Sequence, residues 1–117
     1  MIIELPYPPQ INNYYVPHGK QRHISPQGKE FRRAVGWICK AARIDEGRTE
    51  RLKVAIQLWT PDKRKRDIDN VLKPLLDALG AAGVYKDDSQ IDSLSILRCG
   101  VTKGGRCIVA VEAMRKI

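Results

Sequence analysis

The stretch Arg64-Lys65-Arg66-Asp67-Ile68-Asp69-Asn70-Val71-Leu72-Lys73 joins a run of positive charge to two closely spaced carboxylates and then to an apolar helical pattern. Upstream, Leu52-Lys53-Val54-Ala55-Ile56-Gln57-Leu58-Trp59 alternates apolar and mixed residues, as a half-buried strand does. Downstream, Val71, Leu72, Leu75, Leu76 and Leu79 recur at helical spacing until Gly80 and Gly83 wind the pattern down. The carboxylates therefore sit at a strand-to-helix junction. An interior proline removes a hydrogen bond and clashes one turn back, so Pro74 requires either a helix start near Asn70 or Val71 or a kink.

Outward from this junction, Ile2-Ile3-Glu4-Leu5 is a short strand stopped by Pro6, Pro8 and Pro9. The next segment reads as an irregular loop; Asn12, Asn13, Tyr14, Tyr15, His18, Lys20, Arg22 and His23 give it a composition suited to stacking on bases or gripping phosphates. Ser25-Pro26 opens a helix, Ser as cap and Pro at the first position, and Phe31, Ala34, Val35, Ile38, Ala41 and Ala42 form its inward face before Gly47 closes the segment. Arg32, Arg33, Lys40 and Arg43 lie off that face. Near the end, Leu94-Ser95-Ile96-Leu97 and Cys107-Ile108-Val109-Ala110-Val111 read as two strands of an antiparallel hairpin around Gly100 and Gly104-Gly105. The order β-α-β-α-β-β predicts an α+β fold: one small domain over residues 1–117, with a mostly antiparallel or mixed sheet and two main helices.

Composition narrows the partner. The chain has 117 residues, enough for one core, and a formal net charge of +8 that favours a polyanion. No basic amphipathic stretch with a wide apolar face stands out, so nucleic acid is preferred to a membrane surface. Cys39, Cys99 and Cys107 lack C-x-x-C spacing and read as small buried hydrophobes in a reducing compartment; His18 and His23 have no partners for a zinc site. No apolar run approaches the roughly 20 residues that span a bilayer, and a cytoplasmic location is expected.

A surface that only binds phosphate gains nothing from Asp67 and Asp69, which repel the polyanion that Lys63, Arg64, Lys65 and Arg66 attract, unless a cation intervenes. In extended chain the two carboxylates fall on one side, about 7 Å apart at Cα, whereas on a helix they diverge; Pro74 and the cap preference of Asp put the helix start no earlier than Asp69, which favours the extended arrangement. Lys73 lies one turn beyond Asp69, sharing a helical face with it. Asp77 continues that face, as a helix ion-pair partner rather than a ligand. Asp87, Asp88 and Asp92 follow in the returning connection, and either Asp87 or Asp88 could complete a site. Carboxylates without His or Cys suit Mg²⁺ or Mn²⁺, and Lys73 would stabilise a phosphoryl transition state. No G-x-x-x-x-G-K-[ST] loop is present, so no nucleotide cofactor is expected. The opposing reading is a non-catalytic basic nucleic-acid-binding module whose acids cap a helix and pair with arginines.

Taken together, Leu5-Pro6-Tyr7-Pro8-Pro9 with Asn12 and Tyr14-Tyr15, then Arg66-Asp67-Ile68-Asp69-Asn70-Val71-x-Lys73 with Asp77-Ala78-Leu79, Ala82-Gly83-Val84, Asp87-Asp88 and Val101-Thr102-Lys103-Gly104-Gly105-Arg106 resemble the RusA-type Holliday-junction resolvases. The resemblance covers nearly the whole chain with the motifs in order. It implies a homodimeric, Mg²⁺- or Mn²⁺-dependent endonuclease that makes paired nicks in four-way DNA junctions. The family's catalytic acids and metal ligands fall on Asp67, Asp69 and Asp88, and its essential lysine on Lys73. Lys63, Arg64, Lys65, Arg66, Arg32, Arg33, Lys103 and Arg106, with Asn12 and Tyr14 of the first loop, are then expected to contact DNA. Pro74 and the placement of the amides in Ile11-Asn12-Asn13 depart from the family pattern. Paired cuts at related phosphates independently favour a two-fold dimer, which presents one site twice.

Overall fold

The computed structural model describes residues 1–44 and 47–114, with His18 described by its backbone alone. The elements are β1 (Ile2–Leu5), α1 (Ile11–Tyr14), β2 (Tyr15–His18), β3 (Gln21–Ile24), α2 (Pro26–Ala41), β4 (Leu52–Thr60), α3 (Leu72–Ala81), β5 (Ile91–Val101) and β6 (Arg106–Ala113). Short 3-10 turns precede α3 at Ile68–Val71 and β5 at Asp88–Gln90.

The alternating strand at 52–59 becomes the inner strand β4. Leu52, Val54, Ile56 and Leu58 are buried, while Lys53 and Gln57 on the other face are exposed. The buried face joins Phe31, Val35 and Cys39 of α2 and Leu75, Ala78 and Leu79 of α3 in one core, so the expected α+β architecture is observed. Ser25 caps α2 as its sequence predicts, its Oγ accepting from the Gly28 N–H at 2.9 Å with Pro26 in the first turn. The helix ends at Ala41, before Gly47. Arg43 adopts φ 57°, and Ile44 N–H bonds back to the Cys39 carbonyl at 2.7 Å, a helix-ending pair that usually employs glycine.

Two expectations are corrected. The segment read as an irregular loop contains the one-turn α1 and the antiparallel hairpin β2–β3. The last two strands form no hairpin with each other. The sheet order is β1-β6-β4-β5, with β4 antiparallel to β6 and parallel to β5. Residues 102–105 cross the end of β4, where Thr102 N–H donates to the Thr60 carbonyl at 2.9 Å. Two inter-strand spacings come to about 10 Å, within reach of a four-residue link at about 3.3 Å per residue. β4 and β6 are the two inner strands, and the long alternating face of β4 fills the core on one side.

Candidate active site

β4 leads into a loop stiffened by its own charges. Asp62 accepts from Arg64 N–H at 2.9 Å, and the Arg66 guanidinium forks onto both Asp62 oxygens at 2.5 and 3.1 Å. The Arg66 hydrogen bond, and then that from the Arg64 backbone, hold the Asp62 carboxyl down at about 2. Arg98 of β5 donates to the Arg66 carbonyl at 2.6 Å, tying the loop to the sheet one residue ahead of Asp67.

Asp67 is extended, with φ −81° and ψ 131°, and the chain enters the 3-10 turn at Ile68. Asp69 therefore lies in a helical turn, correcting the expectation that extended chain continues through both acids. The reason is packing: Ile68 rests on the core and Val71 is buried, so the turn must close around them. Both carboxylates are nonetheless exposed, and neither has a side-chain hydrogen bond or ion pair among the described residues. Pro74 falls in the first turn of α3, where its missing N–H breaks no helical bond, so no kink is needed.

Lys73 pairs with an acid of the returning connection rather than with Asp69. Its Nζ donates to Asp88 Oδ2 at 3.3 Å, and that hydrogen bond, with the neighbouring acids Asp88 and Asp77, raises the lysine pKa. The connection from α3 brings Asp88 there. Gly83, at φ 87°, closes α3 with its N–H on the Gly80 carbonyl and Val84 N–H on Leu79. Val84 and Tyr85 are buried, and the Tyr85 hydroxyl donates to the Leu76 carbonyl at 2.5 Å.

Asp87 and Gln90 then form a capping box: Asp87 Oδ1 accepts from Ser89 N–H, and Gln90 Oε1 from Asp87 N–H, both at 2.8 Å. Those bonds from Ser89 lower the Asp87 pKa. Gln90 is 7% exposed and also donates to the Arg48 and Glu50 carbonyls at 2.8 and 2.9 Å. Asp87 is thus committed to the turn and Asp88 faces Lys73. Gln90 lies outside the sequence-based expectations, although D-x-x-Q at Asp87-Asp88-Ser89-Gln90 is itself a capping signature.

Beside the Lys73–Asp88 pair, Arg32, Asp77, Lys86 and Asp87 help line a cleft of about 240 Å³. Asp77 takes the structural role expected of it. It accepts from the Tyr14 hydroxyl, and Arg32 Nε lies 3.5 Å from its Oδ2. That last contact is an ion pair without hydrogen-bond geometry, and the nitrogen is buried with no hydrogen-bond partner among the described residues.

The DNA-facing set divides. Lys63, Arg64, Lys65, Arg33, Lys103 and Asn12 are exposed. Tyr14 is fully buried and offers no ring face to a base, since it anchors α1 against α2 and α3; its hydroxyl is held protonated, first by burial and then by the bond to Asp77. Arg66 is occupied by Asp62, and Arg106 pairs with Glu4 and lies over Trp59, its guanidinium carbon 5.0 Å from the ring centre. The histidine at position 18 has a side chain outside the described residues. Of the cysteines, Cys39 and Cys107 are buried as expected, burial pushing the Cys107 thiol up to about 12, whereas Cys99 is exposed on β5.

Asp67, Asp69 and Asp88 are oxygen donors of the kind Mg²⁺ accepts. Among the described residues, however, no three His, Cys, Asp or Glu side chains gather into a set that could hold an ion. In the described arrangement the cation beside Asp88 is the Lys73 ammonium.

Residues 6–112 match the family model described as Endodeoxyribonuclease RusA. The chain is 36% identical over 113 residues to the crossover junction endodeoxyribonuclease of Enterobacteria phage HK97, covering 97% of this chain and 94% of that protein. It is 38% identical over 112 residues to the enzyme of that name from Escherichia coli strain K12 and 39% to that of Shigella sonnei, in each case over 96% of this chain and 93% of the relative. With the family model spanning most of its length and the relatives matched nearly end to end, the chain belongs to the RusA endodeoxyribonuclease family.

Proposed function

We propose that this protein is a crossover junction endodeoxyribonuclease that resolves four-way DNA junctions by paired symmetric nicks in recombination and repair, acting as a homodimer in the cytoplasm. The observation that carries the reading is the meeting of Lys73 with Asp88 at 3.3 Å, with two unpartnered acids, Asp67 and Asp69, exposed on the segment between the basic loop and the same helix. A non-catalytic DNA-binding module has no use for two exposed carboxylates lacking partners next to phosphate-attracting lysines. Membership of a nuclease family removes its remaining support.

In this reading Lys63, Arg64 and Lys65 draw the backbone in, and Arg33, Lys103 and Asn12 extend the contact. Lys73, held charged, offers its ammonium to the phosphate on which negative charge develops. Asp67, Asp69 and Asp88 are the catalytic acids. Dependence on Mg²⁺ or Mn²⁺ belongs to the proposal through their donor chemistry.

The test is incision of a mobile four-way junction and of linear duplex of the same sequence, each with and without Mg²⁺. Paired nicks confined to the junction and to the Mg²⁺ reactions are expected. Equal cutting of the linear duplex would reduce the protein to an unselective nuclease, and no cutting of either would return it to a binding module.

A further inference from the structure

The hairpin β2–β3 and the turn α1 before it carry a cavity separate from the Lys73–Asp88 cleft. Ile11, Asn12, Tyr15, Val16, Pro17 and Arg22 line about 360 Å³, within the range of about 300–1,000 Å³ usual for small-ligand pockets. The register, with Tyr15 opposite Ile24 and Pro17 opposite Arg22, sets Tyr15, Pro17 and Arg22 on one face of the hairpin. Tyr14 takes the inward place, and its ring braces that of Tyr15 at 70°, with the centres 4.7 Å apart. Tyr15 itself is half-buried, and the Arg22 guanidinium carbon lies 5.7 Å from its ring centre. Asn12 and Arg22 are exposed at the rim.

Three chemistries meet in this pocket. A flat aromatic ring stacks on a base, a guanidinium grips phosphate, and an amide both donates to and accepts from a base edge. Residues 5–29 contain no Asp or Glu, so nothing on this segment repels a polyanion. We propose that the pocket seats one unstacked nucleobase of bound DNA, stacked on Tyr15, with Asn12 at its edge and Arg22 on its phosphate. The base takes the ring face that Arg22 covers, and the unbranched arginine side chain swings out to the backbone. That the DNA is a four-way junction rests on the junction-resolving reading; the seat rests on the hairpin.

The pocket adjoins the candidate site. The Tyr14 hydroxyl donates to Asp77 of α3, one turn beyond Lys73, which fixes the hairpin to the helix that carries the lysine. Burial, and then Asp77, push the Tyr15 hydroxyl pKa up against the opposing pull of Lys73, Arg32 and Arg22, so that end of the ring lies among the charges of the cleft. A base held here therefore belongs to a nucleotide close to the phosphate that Lys73 attracts. Extruding a base costs least where its pairing is already disturbed, so the branch point is its source.

A cycle between protein and DNA tests the seat, with binding measured in metal-free buffer on a synthetic four-way junction carrying a single abasic site at each position around the branch point in turn. At one position the abasic site should weaken wild-type binding about 5- to 150-fold, the range of one base–aromatic stack. Tyr15→Ala should respond less than twofold at that position, Tyr15→Phe should respond like wild type, and Asn12→Ala should change the order of preference among the four bases placed there. Irradiation of the wild-type complex with 5-iodouracil at the branch point should attach the base to Tyr15, a readout that holds even where Tyr15→Ala fails to fold. Equal responses of wild type and Tyr15→Ala at every position, or attachment only to residues outside the pocket, would overturn the proposal. Cleavage of the intact junction with Mg²⁺ separates the failures: coupling without cleavage upholds the seat and sinks the nuclease reading, whereas cleavage without coupling removes the seat alone.

Discussion

Lys73 and Asp88, fifteen residues apart in the chain, meet with Nζ 3.3 Å from Oδ2, so the lysine of α3 and the acid of the returning turn form a single charged centre. This contact brings the returning turn onto the strand-to-helix junction.

Lys73→Ala should leave junction binding and thermal stability close to wild type, because the pair is half exposed and such pairs contribute about 0–1 kcal/mol. Cleavage should fall by about 10²–10³, the usual cost of removing one electrostatic stabiliser. Single-turnover assays with circular dichroism check this; an unfolded variant would make the lysine structural.

Asp87 and Asp88 should separate by phenotype. Asp87→Ala removes the cap and should cost about 0.5–2 kcal/mol of stability, with cleavage retained below the lowered midpoint. Asp88→Asn should retain stability and lose cleavage. Denaturant melts beside activity assays distinguish the two, and loss of cleavage confined to the Asp87 variant would exchange their roles.

Gln90→Ala strips the side-chain partner from the Asp87 N–H and the Glu50 carbonyl, while the Lys86 N–H and the Arg48 carbonyl keep their bond to each other at 3.3 Å. Unsatisfied groups of this kind cost about 1–3 kcal/mol each when water cannot reach them. Stability and cleavage should fall together, with the amide exchange of residues 86–90 accelerated; unchanged exchange would show that the turn stands without Gln90.

A methyl group at Gly28 would lie 2.5 Å from the Tyr14 carbonyl oxygen, so Gly28→Ala must push α1 away from α2. A cost of about 1–3 kcal/mol is expected from overpacking. It should be accompanied by a downward shift of the Tyr14 hydroxyl titration as its bond to Asp77 is lost; a fully stable variant would show that α1 moves freely.

Asp62 sets a pH dependence. Its carboxyl is held at about 2 by Arg66, so the fork's contribution is complete above the ordinary carboxylate value, about 3.9, and is lost as pH falls through about 2. A carbon-detected titration should place Asp62 there in the wild type and near the ordinary value in Arg66→Ala; an ordinary value in both would mean that the fork does not form in solution.

Much of this was legible because it is local. Ser25-Pro26, the alternation of 52–59 and the helical spacing from Val71 each specify structure within a few residues. The pairing role of Asp77 is legible from its position on the helix face. The misses are long-range or depend on packing. Strand order hinges on a four-residue link crossing β4, which no periodicity records. Tyr14 carries a polar composition around it but is drawn inward by Asp77, 63 residues away. Arg66 looked like part of a free basic run because its acceptor, Asp62, lies four residues back across a turn.

The central claim is that Asp69 serves chemistry rather than folding, and Asp69→Asn tests it most directly. The variant should bind a synthetic four-way junction at least as tightly as wild type, since a charge repelling phosphate is gone, and should not nick it with Mg²⁺ present. A variant that still cuts the junction at the wild-type rate would contradict the account.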